Sequence, residues 1–180
     1  MRLQLDVPPR LLHRPDCDAF GGGDSAVVDI HPAVPNWTIR HASKHDIEQV
    51  LSLWDAAGSA ETVTDTRDGL LGLLEADPEA LLVAESDGGE IVGSLIAAWD
   101  GWRGSFYRLA VYPDRRRQGL ATALLNDGER RLLARGAARF TAIVTDDDPD
   151  AMGFWAATGY MQQESRARFV RNVAPWSTQI

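Results

Sequence analysis

Apolar residues in the first half of the chain recur at helical spacing in two segments. The first segment places four apolar side chains on one face of a helix: Ile47, Val50, Leu51 and Trp54. Ser43 and Asp46 precede it at the spacing of a helix-capping pair. The second segment carries four leucines, with Asp65 or Thr66 as its cap: Leu70, Leu71, Leu73 and Leu74. The pattern predicts two helices joined by a polar connection over residues 60–66.

Short apolar runs bounded by turn residues predict five strands, at 37–41, 80–86, 91–99, 105–111 and 139–145. Gly88 and Gly89 predict a tight hairpin between the second strand and the third. Two further helices are predicted over 118–135, which ends before Gly136, and over 149–158. Residues 160–173 are predicted to return as a last strand or hairpin.

The order of these elements predicts an α+β fold of three layers, in which helices flank a mixed, mostly antiparallel central sheet. One domain over residues 37–173 contains all of them. Residues 1–36 hold five prolines and the run Gly21 to Gly23, so they are predicted to form a partly ordered arm. Residues 174–180 are predicted to be a short tail.

Composition excludes several classes of function. The 180 residues carry a formal net charge of -8 and a sequence pI of about 4.9. This acidity argues against a nucleic-acid partner and favours a cationic one, such as an amine. The single cysteine, Cys17, excludes an intrachain disulfide and a cysteine-built zinc site. No apolar run reaches membrane-spanning length and no signal-peptide core is present, so we expect a cytoplasmic protein without a membrane partner.

The acidic run at residues 146–150 is interpreted as a helix start rather than a metal site. Asp148 is placed as the N-cap and Pro149 as the first helical residue, with acids in the first turn. No metal is therefore expected. The four histidines are expected to be structural: His13, His31, His41 and His45.

The segment from Leu109 to Ala121, LAVYPDRRRQGLA, carries the most specific chemistry in the chain. A strand that runs directly into a helix leaves the first backbone amides of that helix unpaired and pointing at one spot. Those amides and the helix dipole favour an anion, and Gly119 has no side chain to obstruct its approach. Arg115, Arg116 and Arg117 add donors that suit phosphate oxygens. The segment predicts a phosphate-binding turn.

Two common nucleotide-binding motifs are absent, because neither Gly-Lys-Ser/Thr nor the spacing G-x-G-x-x-G follows a strand. The sequence instead resembles the GCN5-related N-acetyltransferase (GNAT) family, whose motif Arg/Gln-x-x-Gly-x-Gly/Ala matches Arg116-x-x-Gly119-x-Ala121. The family's later pattern, Asn-x-x-Ala with an aromatic pair and Gly-Phe/Tyr, resembles six residues of this chain: Asp148, Ala151, Phe154, Trp155, Gly159 and Tyr160. The likeness covers residues 37–173.

The resemblance implies the acyl-CoA N-acyltransferase fold and the transfer of an acetyl group from acetyl-CoA to a primary amine of a small molecule or a peptide. It implies direct attack by the amine, with no enzyme nucleophile. Leu109 and Val111 are expected to bind the pantetheine arm in a gap between the strands at 105–111 and 139–145, and an amide near Val111 to polarise the thioester carbonyl. The remaining implied cofactor contacts are Ala110, Arg116, Arg117, Gln118, Gly119, Leu120, Ala121, Thr122, Asp148, Phe154 and Trp155.

The chain departs from the family at the positions of the catalytic acid and base. Trp155 stands where many relatives have a tyrosine that protonates the leaving thiolate, and Ser105 where some have a glutamate base. We take Asp100, Ser105 and Tyr160 as the catalytic candidates, with Ser105 able to hold a water. Other residues remain open as acids or bases: Tyr107, Tyr112, Glu61 and Glu85.

Two interpretations other than an enzyme stay open. The missing glutamate and tyrosine favour a non-catalytic acyl-CoA binding module that senses or scaffolds. A bare interaction domain would have no affinity for the cofactor at all. Trp99 and Trp102, beside Asp100, form either an aromatic wall for a cationic amine or a hydrophobic contact, and a homodimer is the default assembly.

Overall fold

The computed structural model describes residues 36–173, which form a five-stranded sheet with helices on both faces. Its elements in chain order are β1 (Trp37–His41), α1 (Ile47–Ala56), α2 (Arg67–Ala76), β2 (Leu81–Ser86), β3 (Ile91–Trp99), β4 (Gly104–Val111), α3 (Leu120–Ala134), β5 (Phe140–Ala142) and α4 (Pro149–Ala157). The strands lie in the order β1-β2-β3-β4-β5, antiparallel throughout except for the parallel pair β4 and β5. The predicted fold class is confirmed.

Side chains alternate between two cores because successive residues of a strand point to opposite faces. In β2, Leu82 and Ala84 pack in the cluster that includes the leucines of α3, while Leu81 and Val83 pack in the cluster formed with α1 and α2. The aromatic residues of α4 pack against the α3 cluster. One face of the sheet therefore carries α3 and α4, and the other carries α1 and α2.

Helix α3 lies close to the sheet at one small residue. A Cβ on Gly128 would lie 2.9 Å from Leu95 Cδ2 and 3.0 Å from Phe106 Cε1, both in the core. Leu124 and Leu125 of α3 and five further buried hydrophobic residues of the sheet complete this contact. Each buried leucine contributes about 1.5–3 kcal/mol to the stability of the fold. The packing fixes where the first turn of α3 meets the end of β4.

The predicted elements differ from the structure mainly at their ends. The long helix begins at Leu120 rather than at residue 118, and β5 covers only three residues of the predicted 139–145. The prediction of a last strand or hairpin over 160–173 is wrong. In the structure this segment has no strand, and Met161, Phe169 and Val170 stay exposed. Backbone groups form a strand only where a neighbour pairs with them.

Several predictions fall on residues 1–35 and 174–180, which lie outside the described range: the N-terminal arm, the tail, Cys17, His13 and His31. Among the helices of residues 36–173, none has both the length and the hydropathy that a membrane span requires.

The turn before α1 is organised by one buried carboxylate. Asp46 accepts hydrogen bonds from Arg40 at 2.8 Å on each oxygen, and from the Ser43 amide and hydroxyl at 2.7 and 2.9 Å. The pairing of Ser43 with Asp46 was predicted, although the helix begins only at Ile47. The hydrogen bonds from Arg40 hold the pKa of the Asp46 carboxyl well below its usual range.

Replacing this carboxylate with an amide tests its contribution. We expect Asp46→Asn to lower the free energy of unfolding at pH 7 by about 1.5–3 kcal/mol, because charged hydrogen bonds are lost. The pKa of Asp46 in the folded protein lies below the unfolded value of about 3.9. Its contribution to stability is therefore complete above the unfolded pKa, and declines as the pH falls from there to the folded pKa. Urea unfolding at pH 7 and pH 3 should show the difference from wild type shrinking in acid.

The matched control is Asp55→Asn, on the exposed face of the same helix. It should change stability by less than about 0.5 kcal/mol at either pH. A difference for Asp46→Asn that stays constant between pH 7 and pH 3 would contradict this account of the turn.

Candidate active site

Strands β4 and β5 part after a short paired stretch. Their register runs from Gly104 opposite Phe140 to Phe106 opposite Ala142, and no pair follows in the described residues. From Tyr107 to Val111, β4 is paired only with β3. The two strands thus form a fork, and the edge of β4 that faces its opening has backbone groups available for another partner.

The backbone of β4 is irregular at the fork. The register with β3 shifts between Ser94 and Ile96, so that Arg108 and Leu109 oppose a single residue. Arg108 has a φ of 53°, in the left-handed region that side chains other than glycine rarely adopt. Such a bulge turns the following residues of a strand, here Leu109 to Val111.

The predicted phosphate-binding turn has the expected free amides. After β4, a short 3-10 turn over Pro113–Arg115 leads to Arg117 and Gly119, which have φ values of 63° and 81°. The first amide of α3 with a helical acceptor is that of Ala123, 3.0 Å from the Gly119 carbonyl. Within residues 36–173, no protein group accepts a hydrogen bond from the amides of residues 117–122. A Cβ on Gly119 would meet nothing within 4 Å.

The side chain of Arg116 forms hydrogen bonds within the protein. Its Nε donates to the Val111 carbonyl at 3.3 Å and its Nη2 to the Ala57 carbonyl, at the end of α1, at 2.9 Å. It therefore braces the turn against β4 and α1. The side chain of Arg117 stays exposed, and the backbone amides are the donors that the turn itself supplies.

The second family pattern lies on the α3 face of the sheet. Asp148 is the N-cap of α4, and its Oδ1 accepts from the Ala151 amide at 3.0 Å, as the sequence predicted. Phe154 and Trp155 pack against the α3 cluster, with ring centroids 5.6 Å apart. The Trp155 ring also lies 4.8 Å from that of Tyr160.

The structure does not bring the three catalytic candidates together. Tyr160 packs on the α3 face and donates its hydroxyl to Glu129 Oε1 at 2.7 Å. Ser105 precedes Phe106, which points to that face, so Ser105 points to the opposite one, where its Oγ lies 3.0 Å from Thr141 Oγ1. Asp100 lies in the exposed turn at the closed end of β4.

Two of these candidates have perturbed acidity. Burial and the hydrogen bond to Glu129 raise the pKa of the Tyr160 phenol well above its usual value, which makes it a weaker acid. The amides of Arg103 and Trp102 both donate to one Asp100 oxygen, at 2.6 and 2.8 Å, and lower the pKa of that carboxyl. A lowered pKa makes Asp100 a weaker base.

The aromatic wall proposed near Asp100 is modified by a neighbour. Trp102 is exposed, but the Arg103 guanidinium lies 3.7 Å from the centre of its ring. One face of this indole already carries a cation from the chain itself. An amine from outside would have to use the opposite face or displace Arg103.

Sequence reasoning missed a buried polar network behind the fork. Trp54 Nε1 donates to Ser94 Oγ at 2.8 Å, and Ser94 Oγ donates to the Arg108 carbonyl at 3.1 Å. The Arg108 side chain forms an ion pair with Asp65. A serine inside the apolar run 91–99 was the one signal that could have indicated such a network.

The arrangement suits an extended ligand with a diphosphate at one end. The fork offers strand-like hydrogen bonds to amide groups, and the turn at 117–122 offers six adjacent backbone donors to an anion. The face with α3 and α4 is covered by packed aromatic rings. A second reactant would reach the fork from the face of α1 and α2.

Comparison with known proteins agrees with this geometry. The sequence profile described as the acetyltransferase (GNAT) family matches residues 47–160. A protein named acetyltransferase from Yersinia pestis (strain Pestoides F) is 36% identical over 127 residues, which are 71% of this chain and 89% of the relative.

Solved structures show the same fold. Ard1 from Thermoplasma volcanium superposes with a TM-score of 0.64 at 23% identity, covering 71% of this chain and 84% of that one. The aminoglycoside N-acetyltransferase AAC(6')-Iy in complex with CoA has a TM-score of 0.60 at 19% identity, covering 81% of this chain and 100% of that one. The chain therefore belongs to the GNAT acetyltransferase family and is an acyltransferase by class.

Proposed function

We propose that this protein transfers an acetyl group from acetyl-CoA to a primary amine of a small molecule or a peptide, within a ternary complex. The observation that carries the proposal is the run of backbone amides at residues 117–122, which have no acceptor in the described part of the chain. They lie at the start of α3, where the helix dipole favours negative charge. A diphosphate satisfies both features.

The residues of the fork fit the rest of the cofactor. Leu109 and the amide of Val111 would pair through the backbone with the amides of the pantetheine arm, which has the spacing of a peptide strand, and Ala110 lies between them. Phe154 and Trp155 would flank the arm on the α3 face, and Asp148 would accept a hydrogen bond from it. Acetyl-CoA supplies the thioester, and the protein supplies position, which accounts for most of the rate enhancement of such reactions.

The amine must lose a proton before it attacks, because an ammonium has no lone pair. Ser105 lies next to the fork, on the face from which the amine approaches, and forms a hydroxyl pair with Thr141. We propose that this pair orients a water that accepts the proton. Attack forms the amide bond, breaks the carbon–sulfur bond and releases coenzyme A as a thiolate, which takes up a proton from solvent.

A non-catalytic acyl-CoA binding module is the second candidate. The observation that favours it is that two catalytic candidates are already engaged in hydrogen bonds within the protein. The Asp100 carboxyl accepts from the Arg103 amide, and the Tyr160 hydroxyl donates to Glu129. The two candidates make different predictions for turnover.

The first prediction separates these two functions. Purified protein with acetyl-CoA should release free thiol at a rate that saturates with at least one amine, detected with a thiol reagent. The panel is kanamycin, spermidine, free lysine and a short peptide with an unblocked N-terminus, because structural neighbours include an aminoglycoside N-acetyltransferase. Binding of coenzyme A in a calorimeter without turnover on any amine would favour the module instead.

The second prediction tests the phosphate-binding turn. We expect Gly119→Leu to weaken coenzyme A binding by about a hundredfold or more, because the side chain enters the space that the diphosphate needs. The matched control is Gly136→Leu at the other end of α3, since Gly136 also has a positive φ, of 91°, and open space around its Cβ.

Both substitutions force a side chain into the left-handed region, which costs about 1–2 kcal/mol of stability each. The melting temperatures of the two variants should therefore fall by similar amounts. Only the first should lose coenzyme A in the calorimeter. Equal affinities for the two variants would remove the turn from the binding site.

The third prediction ranks the catalytic candidates. Ser105→Ala should lower kcat by about tenfold through loss of the oriented water. Tyr160→Phe should leave kcat within about twofold, because its proton is held by Glu129, and should instead lower the free energy of unfolding by about 1 kcal/mol. Initial rates and urea unfolding measure both effects, and a large fall in kcat for Tyr160→Phe would restore it as an acid.

A further inference from the structure

A single arginine fastens the connection between α1 and α2 to β4. Arg108 Nε donates to Asp65 Oδ1 at 3.0 Å, and its Nη2 donates to Asp65 Oδ2, so the pair is bidentate. The two side chains are only 15% and 10% exposed. Nη2 also donates to the Ala60 carbonyl at 3.0 Å. A buried fork-to-fork pair of this kind holds its partner in one orientation.

Asp65 also forms hydrogen bonds within its own loop, residues 60–66. Its Oδ2 accepts from the Thr62 amide at 2.7 Å and from the Thr62 hydroxyl at 3.0 Å. The next residue, Thr66, caps α2 by accepting from the Gly69 amide at 3.1 Å. Residues 60–66 therefore depend on one carboxylate, which in turn depends on Arg108.

The backbone at Arg108 is itself held in an unfavourable conformation. A non-glycine residue at a φ of 53° costs about 1–2 kcal/mol, and it persists only where its surroundings fix it. The Ser94 hydroxyl holds the Arg108 carbonyl, and the guanidinium lies 5.1 Å from the centre of the Trp54 ring. Strained residues of this kind concentrate at functional sites.

The Arg108–Asp65 ion pair, here called the clamp, lies beside the proposed reaction site. Arg108 lies at the fork, between Tyr107 and Leu109, and its side chain extends to residues 60–65. Because α3 and α4 cover the other face, an amine approaches along the face that this loop borders. Arg116 holds the beginning of the same connection through the Ala57 carbonyl. Arg116 belongs to the segment proposed to bind the cofactor, whereas Arg108 comes directly before that segment.

We propose that Arg108 is a positioning residue for the acceptor. With Asp65, it holds residues 60–66 as one wall of the acceptor site, at a fixed place relative to the fork. This proposal rests on the acetyl transfer proposed above, and it concerns the second substrate only. Loss of the clamp raises the KM for the amine, while coenzyme A binding and kcat at saturating amine are retained.

The test uses the full chain and a set of variants matched in backbone and charge. Arg108→Asn removes the clamp but keeps a residue that tolerates the left-handed conformation. Because a single substitution leaves one buried charge unpaired, the double variant Arg108→Asn with Asp65→Asn removes both charges together. Arg108→Lys keeps the charge without the planar fork. Arg67→Gln, which breaks an exposed ion pair with Glu48 at the start of α2, is the control.

Steady-state rates use acetyl-CoA and the amine of the panel that wild type acetylates fastest. We expect the single and double asparagine variants to raise the KM for that amine by about tenfold or more, with kcat and the Kd for coenzyme A within about twofold. The lysine variant should recover part of the loss, and the control should match wild type. An unchanged KM in the double variant, or a fall in kcat with KM unchanged, overturns the proposal.

A second measurement does not need an acceptor. Hydrogen exchange followed by mass spectrometry should show peptides covering residues 60–66 exchanging at least about tenfold faster in the double variant, with α3 unchanged. Exchange equal to wild type overturns the clamp. If wild type turns over no amine but binds coenzyme A, the proposed function fails and the acceptor role fails with it, whereas the exchange data still decide whether Arg108 holds this loop.

Discussion

Unpaired backbone groups along one side of the molecule are the constraint on which the site depends. Beyond Phe106, the edge of β4 that faces β5 has no strand partner in the described residues, and the amides of residues 117–122 have no acceptor there. Such groups are costly to bury without hydrogen bonds. A ligand that carries both peptide-like amides and a diphosphate would satisfy them in one continuous line, and this is how we propose that the fold recognises its cofactor with few specific side chains.

The rest of the fold keeps this line in place. Close packing of α3 on the sheet at Gly128 sets the position of the helix start, and the bulge at Arg108 lies just beyond the last residue of β4 that pairs with β5. Arg116 then ties the turn to the end of α1. Three separate interactions thus converge on one short segment, and packing and hydrogen bonds within the protein hold the proposed site in place.

The sequence predicted those parts of the molecule that follow from local pattern. The helices, the Gly88-Gly89 hairpin and the turn at Gly119 depend on periodicity and backbone freedom, which neighbouring residues determine. The ion pair of Arg108 with Asp65 joins residues 43 positions apart and has no local signature. The prediction of a strand or hairpin over 160–173 failed for a related reason. A local sequence pattern shows that a strand is possible, but not that a neighbouring strand is available to pair with it.

A crystal structure of the protein with coenzyme A tests the central claim most directly. The account predicts diphosphate oxygens within about 2.7–3.2 Å of amide nitrogens in residues 117–122, and the pantetheine arm lying in the fork between β4 and β5. Coenzyme A bound elsewhere, or a turn whose amides have rotated onto protein carbonyls while the cofactor is present, would contradict it.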